Sequence, residues 1–474
     1  MSTYVPPVGS IPTLSVPSLH GVRSVHMIGV GGAGMRNLAR LLRAGGVAVS
    51  GSDLKDSKGL GDLRAVGADV WVGHDASRIA TPDAVIISSA IGEDNVELRA
   101  VRARGIEVWA RQQALGAIVA GSRSIAVSGT HGKTTTTSMI AVVLERAGLD
   151  PSYLIGGDLN ESGSGARAGR GDLFVFEADE SDGSFLLTRP HVGVVTNVDV
   201  DHVDFYPGGR AEIESAFAAF MTACTHVVAC GDDPGVRSVL AATGATGLTY
   251  GTDEGNDLVV SVHELGPGGA AGVVRDAAGA SVELRLRVDG AHNLLDATGA
   301  IGAARLVGVD LATAAQALSS FAGVHRRFEH RGSARGADFF DDYGHTPVEM
   351  AVTIETARRR RPRRLIALVQ PHRYSRVQAL WRELGASVAG ADLVLVTDID
   401  GAAQPPIPGV TGRLVVDGIS LASPITPVVY LPHRADAIAY LEREVRDGDL
   451  VVTMGCGDVW MLADAALERL GGGG

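Results

Sequence analysis

Ser124-Ile-Ala-Val-Ser-Gly129-Thr130-His131-Gly132-Lys133-Thr134-Thr135-Thr-Thr-Ser138 decides the reading of this chain. Ile125 to Val127 form a short buried strand, Gly129 and Gly132 permit a tight turn, and Met139, Ile140, Val143 and Leu144 recur at helical spacing. Strand, glycine turn, Lys-Thr and helix make a cradle for a nucleotide's phosphates. Backbone N–H groups and the helix N-terminus face the anion, Lys133 reaches the terminal phosphates, and the Thr134 hydroxyl suits Mg²⁺. The general phosphate-loop pattern places a further glycine where Val127 stands, so the match is partial. Lys133 is nevertheless one of only three lysines among 42 Lys and Arg residues, which argues for a specific role.

Working outward, a 474-residue chain exceeds one hydrophobic core. From Val22 onward short apolar runs alternate with helical stretches, the signature of βαβ units and parallel sheet. A strand at Val25 to Ile28 precedes Gly29-Val-Gly31-Gly32-Ala33-Gly34 and a helix from Met35 to Ala44; further strands end at Asp53 and at Ser88-Ser89. Strands at 173–176, 192–195 and 226–230 follow the phosphate loop. Between 250 and 290, alternating segments separated by glycine turns predict antiparallel hairpins. Helix returns over 291–321, and strands recur at 339–340, 365–369, 393–396 and 450–453. The expected organisation is a lead-in over 1–20 and three α/β domains at 21–122, 123–331 and 332–474.

A net charge of −12 argues against a nucleic-acid partner. Cys224, Cys230 and Cys456 have neither metal-ligand spacing nor a disulfide framework, and read as small buried fillers in a reducing cytoplasm. No apolar run is long enough to insert in a membrane, and the N-terminus lacks the pattern of a signal peptide.

Gly29-x-Gly31-x-x-Gly34 with Asp53 about twenty residues on is the dinucleotide fingerprint. Taken alone it implies NAD, but the same geometry receives any diphosphate, including that of a nucleotide sugar. Glu177 ends an apolar strand and continues as Ala-Asp179-Glu180-Ser-Asp182. Carboxylates at the carboxyl end of a parallel strand suit Mg²⁺, although the later three also fit a solvated acidic loop. A second strand runs into Thr196-Asn197-Val-Asp199-Val-Asp201-His202, where His202 is a candidate ligand of a second metal.

In order, these motifs, joined by Asp341-Asp342-Tyr-Gly-His345, Gln370-Pro-His372-Arg373-Tyr-Ser-Arg376 and Gly455-Cys-Gly-Asp458, resemble the Mur ligase family from about Arg23 to Met461. The resemblance implies a Rossmann-like UDP-binding domain, a central ATPase domain with a parallel sheet plus a small antiparallel sheet, and a Rossmann-like C-terminal domain. It implies a cytoplasmic ligase, a monomer or weak homodimer, that uses ATP to join L-alanine to UDP-N-acetylmuramate through an acyl phosphate. Lys133, His202 and Arg376 are then the expected catalytic residues, with Thr134, Glu177 and His202 on metal. ATP falls to Gly129, Thr130, Gly132, Lys133, Thr134, Thr135, His292, Asn293, Asp296, Arg327, Asp342 and His345. Gly31, Gly32, Ala33, Gly34, Asp53, Ser88, Ser89 and His131 are expected on the UDP-sugar, which removes the NAD reading. His372, Arg373 and Arg376 are expected on the amino acid, since an arginine fork matches a carboxylate. With the ATP ligands split between two domains, the third is expected to close over the central one.

The chain departs from the family at Asp296, where Asn is usual; an ionised Asp cannot donate to the adenine ring. Thr346 replaces a histidine, Asp400 to Gln404 replace an aromatic, arginine and acid together, and Arg36 replaces a small residue beside the first glycine turn. No lysine follows Lys133, so the carbamoylated lysine of related ligases has no counterpart there.

Overall fold

The computed structural model describes residues 15–88, 90–160, 162–181, 183–201, 205–402 and 404–471. Ser89, Asp182 and His202 lie outside them. Three sheets organise the chain. The first has five strands in the order Asp69–Val72, Ala48–Asp53, Ser24–Ile28, Ala84–Ile87, Glu107–Ala110. Every pair is parallel. The chain leaves Ser24–Ile28 in one direction and returns beside it from the other, so a crevice opens at the carboxyl ends of Ser24–Ile28 and Ala84–Ile87. The Gly29–Gly34 turn and Ser88 stand there.

The second sheet has ten strands, in the order Ser281–Leu286, Gly269–Asp276, Leu258–Gly266, Leu248–Gly251, His226–Cys230, Val192–Val195, Arg123–Ser128, Leu173–Glu177, Ser152–Leu154, Ala166–Arg167. The pairs from Leu258–Gly266 to Ser152–Leu154 are parallel. Two residues separate Leu258–Gly266 from its neighbour Gly269–Asp276, a connection too short for anything but an antiparallel hairpin. These hairpin strands are not set apart: Tyr250 pairs with Leu258 and Gly251 with Val259, so they extend the edge of the parallel sheet.

The third sheet runs Glu329–Ala334, Ala337–Asp342, Asp449–Met454, Arg364–Val369, Leu393–Val396, Val428–Tyr430, antiparallel in its first pair and parallel elsewhere. Successive residues pack on opposite faces. Phe339, Ile366, Leu368 and Val451 join Leu441 and Leu462, whereas Phe340, Ala367, Val369 and Val452 join Met350 and Val377. Burial on both faces is why these strands are continuous apolar runs.

The chain folds as two compact units. One holds the first sheet and most of the second; the other comprises 323–474 with the short segments 264–270 and 288–290. Within the first unit the helix Ala33–Ala44 seats on the loop before Ala166–Arg167. Asn37 donates to the Ile155 carbonyl at 3.3 Å and Arg40 to the Ser164 hydroxyl at 3.0 Å. No described helix is long and apolar enough to cross a membrane.

Candidate active site

Strand Arg123–Ser128 opens into the glycine loop, and helix Lys133–Arg146 starts from Gly132. Gly129 sits at φ 141°, where a Cβ would strike the Thr196 hydroxyl and the Asn197 backbone. Gly132 sits at φ 80°, and a Cβ there would lie 2.7 Å from Asp296 Oδ1. Both glycines are therefore required by geometry. The end of the neighbouring strand Val192–Val195 fixes the loop. Asn197 accepts from the His131 N–H at 2.8 Å and donates to its carbonyl at 3.0 Å, while the Thr196 hydroxyl reaches that carbonyl at 2.5 Å. The Asp199 N–H donates to the Thr130 hydroxyl at 2.9 Å. Thr134 and Thr135 are buried in the first turn of the helix. A loop held this firmly can present its N–H groups without reorganising.

Lys133 Nζ donates to the Gly129 carbonyl at 2.6 Å and to both oxygens of Glu180 at 2.8 Å. Burial works to lower its pKa, but the carboxylates of Glu180, Asp179 and Glu177 outweigh this and hold the ammonium charged. Burial pushes Glu180 up to about 7 against the pull of Lys133, with Asp179 adding to the rise. Burial also works to raise Asp179, but Lys133, the Ser181 N–H and Arg111 keep it below the usual range. Glu177 pairs in register with Val127, next to the loop strand, and its Oε1 accepts from the Gly156 N–H at 2.7 Å. The arrangement offers one half-buried cation beside a threonine hydroxyl and a carboxylate, hard oxygen donors that fit Mg²⁺ on a polyphosphate. His292 and Asn293 open helix Ala291–Leu306, which carries Asp296 to the loop.

In the first sheet, the Gly31 N–H donates to Asp53 Oδ2 at 2.8 Å, and a Cβ on Gly31 would meet the same carboxylate. Ser88 lies against Gly29, and Gly32 precedes the helix that begins at Ala33. Sequence reasoning missed Arg111. Its guanidinium lies 3.1 Å from where a Gly34 Cβ would stand, and its charge is felt at Asp179. One arginine thus sits between the first glycine turn and the acidic loop. Only the join of two sheets reveals it, so the sequence carried no signal. Arg36 turns from the glycine loop toward Asp158, 3.9 Å away.

In the second unit, Asp342 accepts from the Phe328 and Gly344 N–H groups at 2.8 Å and from the Thr353 hydroxyl at 2.9 Å. Arg327 lies over the Tyr343 ring. His345 and His372 pack edge to face at 5.5 Å, and Arg376 donates to His372 Nδ1 at 3.4 Å. Arg373 takes φ 63° at the head of helix Tyr374–Val388, a strained position for a non-glycine residue. Cys456 is half-buried, and its sulfur lies within 4.8 Å of a ring nitrogen of both His345 and His372, which come from other strands, so spacing along the chain does not show the group. Burial pushes its thiol up to about 12.

A phosphate loop with a half-buried lysine, a diphosphate-type glycine turn in the same unit and an Arg/His cluster in the other define a nucleotide-dependent ligase architecture. Three family profiles match in order: Mur ligase family, catalytic domain, over 24–123; Mur ligase middle domain over 127–304; and Mur ligase, glutamate ligase domain, over 326–457. The chain belongs to the Mur ligase family. It is 42% identical to the UDP-N-acetylmuramate–L-alanine ligase of Mycobacterium sp. (strain JLS), with 96% of this chain and 97% of that protein covered. The enzyme of the same name from Solidesulfovibrio magneticus is 43% identical, with 94% and 98% covered. Among solved structures, the UDP-N-acetylmuramate-alanine ligase of Thermotoga maritima superposes with TM-score 0.80 at 26% identity, with 95% and 100% covered. A murein peptide ligase from Psychrobacter arcticus shares the fold at TM-score 0.71 and 24% identity, with 95% and 99% covered.

Proposed function

We propose that this chain is an ATP-dependent ligase that joins L-alanine to the lactyl carboxylate of UDP-N-acetylmuramate, the first peptide-forming step of peptidoglycan precursor synthesis, in the cytoplasm. The observation that carries the reading is Lys133, a half-buried cation at the mouth of a preorganised glycine loop, in a chain so close to ligases of that name. The γ-phosphoryl group of ATP passes to the carboxylate, giving an acyl phosphate and ADP. The alanine nitrogen attacks the acyl carbon, the C–O bond to phosphate breaks, and the ammonium protons go to solvent. Lys133 leaves Glu180 for the transferring phosphoryl group, and the loop N–H groups spread its charge. Thr134, Glu177 and His202 would hold Mg²⁺, which supplies charge neutralisation between phosphates.

In this reading His292, Asn293, Asp296, Arg327, Asp342 and His345 serve ATP, the Gly31–Gly34 turn with Asp53, Ser88, Ser89 and His131 serves the UDP-sugar, and His372, Arg373 and Arg376 clamp the amino acid. The domains divide at 21–122, 123–331 and 332–474, and the chain acts as a monomer or weak homodimer. The test is ADP release with UDP-N-acetylmuramate, ATP and Mg²⁺ against a panel of amines. L-Alanine should drive turnover; response to an intact tripeptide but not to alanine would move the chain to a recycling role. No ADP with any amine would leave only a nucleotide-sugar sensor. Lys133→Ala should lower kcat by about 10³-fold while leaving UDP-sugar binding, read by calorimetry, intact; retained turnover contradicts the assigned role.

A further inference from the structure

Three adjacent parallel strands of the third sheet, Ala337–Asp342, Asp449–Met454 and Arg364–Val369, send His345, Cys456 and His372 out from their carboxyl ends to one place. One ligating atom from each lies within 4.8 Å of the others, and all three side chains are half-buried. We propose that His345, His372 and Cys456 form a binding site for a zinc-class divalent ion, with a fourth coordination position for an exogenous ligand.

The surroundings fit the role. His345 Nδ1 stands 3.1 Å from the Tyr343 carbonyl, which can only accept, so Nδ1 carries the proton and Nε2 the lone pair. Glu349 Oε2 lies 3.5 Å from the same Nδ1 and is itself aimed by the N–H groups of His345 and Thr346, at 3.0 and 3.2 Å. A carbonyl and a carboxylate behind the far nitrogen fix the tautomer and raise the basicity of a histidine ligand. Tetrahedral zinc at 2.0–2.3 Å from each donor spaces its donors by about 3.3–3.8 Å, so side-chain rotation of roughly 1 Å closes the set. Binding breaks the Cys456 S–H bond and forms S–Zn, and the proton leaves to solvent. The opposing charges are Arg326, which donates to the Cys456 carbonyl at 3.3 Å, and Arg376, whose 3.4 Å contact to His372 Nδ1 gives way when the metal takes that ring. The donor set of sulfur and nitrogen selects zinc or cobalt and rejects Mg²⁺, which takes oxygen.

A functional consequence rests on the ligase reading. His372 and Arg376 there clamp the amino acid, so a bound ion and alanine exclude each other; with ATP, which His345 serves in that reading, held saturating, zinc acts as an inhibitor competitive with alanine.

The test uses the full chain, stripped of metal and titrated with Co²⁺ in Mg²⁺-containing buffer. One equivalent should bind with a thiolate-to-cobalt charge-transfer band. Cys456→Ser should abolish the band and weaken Co²⁺ binding by about 100-fold or more, His345→Gln should weaken it in the same sense, and Cys224→Ser should change nothing. A wild-type protein without the band, or a band that survives Cys456→Ser, overturns the site. This arm does not depend on catalysis. In the second arm Zn²⁺ is added to the alanine-dependent assay at fixed Mg²⁺. A raised KM for alanine at unchanged kcat supports the coupling; an unchanged KM with the ion bound overturns it, whatever cobalt shows.

Discussion

At the scale of single residues, the Lys133–Glu180 pair ties the glycine loop to the acidic segment after Glu177. Each side chain depends on the other: Glu180 is almost wholly enclosed and Lys133 nearly so. Removing one partner of a buried pair costs about 3–5 kcal/mol because the survivor keeps its desolvation penalty. Glu180→Gln should therefore lower the melting temperature of the nucleotide-free protein, and Mg²⁺ with ATP should restore most of the loss by giving Lys133 a new anion. A variant whose melting temperature falls equally with and without nucleotide would show that Lys133 never transfers. The lysine itself was legible from its place after Gly132. Its partner was not, because Glu180 meets the loop only once two strands are side by side. The neighbourhood of Cys456 was hidden for the same reason: sequence spacing cannot report side chains gathered from three strands.

At the scale of elements, the first sheet carries a buried polar knot behind its carboxyl edge. Glu97 is fully enclosed, taking hydrogen bonds from the Ser52 hydroxyl and from the Asp75 N–H at 2.9 Å, with His74 Nδ1 at 3.1 Å and His26 Nε2 at 3.7 Å. Burial works to raise this carboxyl, but the His26 ring, Ser52 and the Asp75 N–H bring it down from 4.5 to about 2. A group depressed on folding stabilises the native state above its unfolded value, and that stabilisation drains away as pH falls from about 4.5 through about 2. The shift corresponds to roughly 3 kcal/mol. Glu97→Gln should thus lower the first thermal transition at pH 7, and the gap to wild type should narrow steadily below pH 4.5; a pH-independent gap would refute the linkage. Elements buried on both faces, such as Val192–Val195, were plain from their apolar runs. Edge pieces such as Ala166–Arg167 had no such run to read. The hairpins after Tyr250 were legible as hairpins, but their continuity with the parallel sheet depends on pairing that alternation does not encode.

At the scale of the whole molecule, a net charge of −12 confronts substrates that are themselves anionic. The overall field cannot draw them in, so capture has to rest on local groups; Lys133 and Arg111 are cations placed beside the two glycine turns. Raising ionic strength from low to physiological should change kcat/KM for ATP by less than about threefold, because screening relieves long-range repulsion while it weakens near contacts. A steep fall would reveal a basic field that composition does not suggest. The three-sheet plan was readable from three successive strand–turn–helix series. What stayed hidden is how closely the first two are joined. Asn37 and Arg40 grip Ile155 and Ser164, and Arg111 reaches from the first glycine turn toward the acidic residues of the second sheet. Anyone recombining this enzyme with a cousin at the apparent seam near residue 122 would cut through that grip. A viable chimaera has to inherit the first sheet and the loop beneath it from one parent, with the crossover placed beyond Arg167.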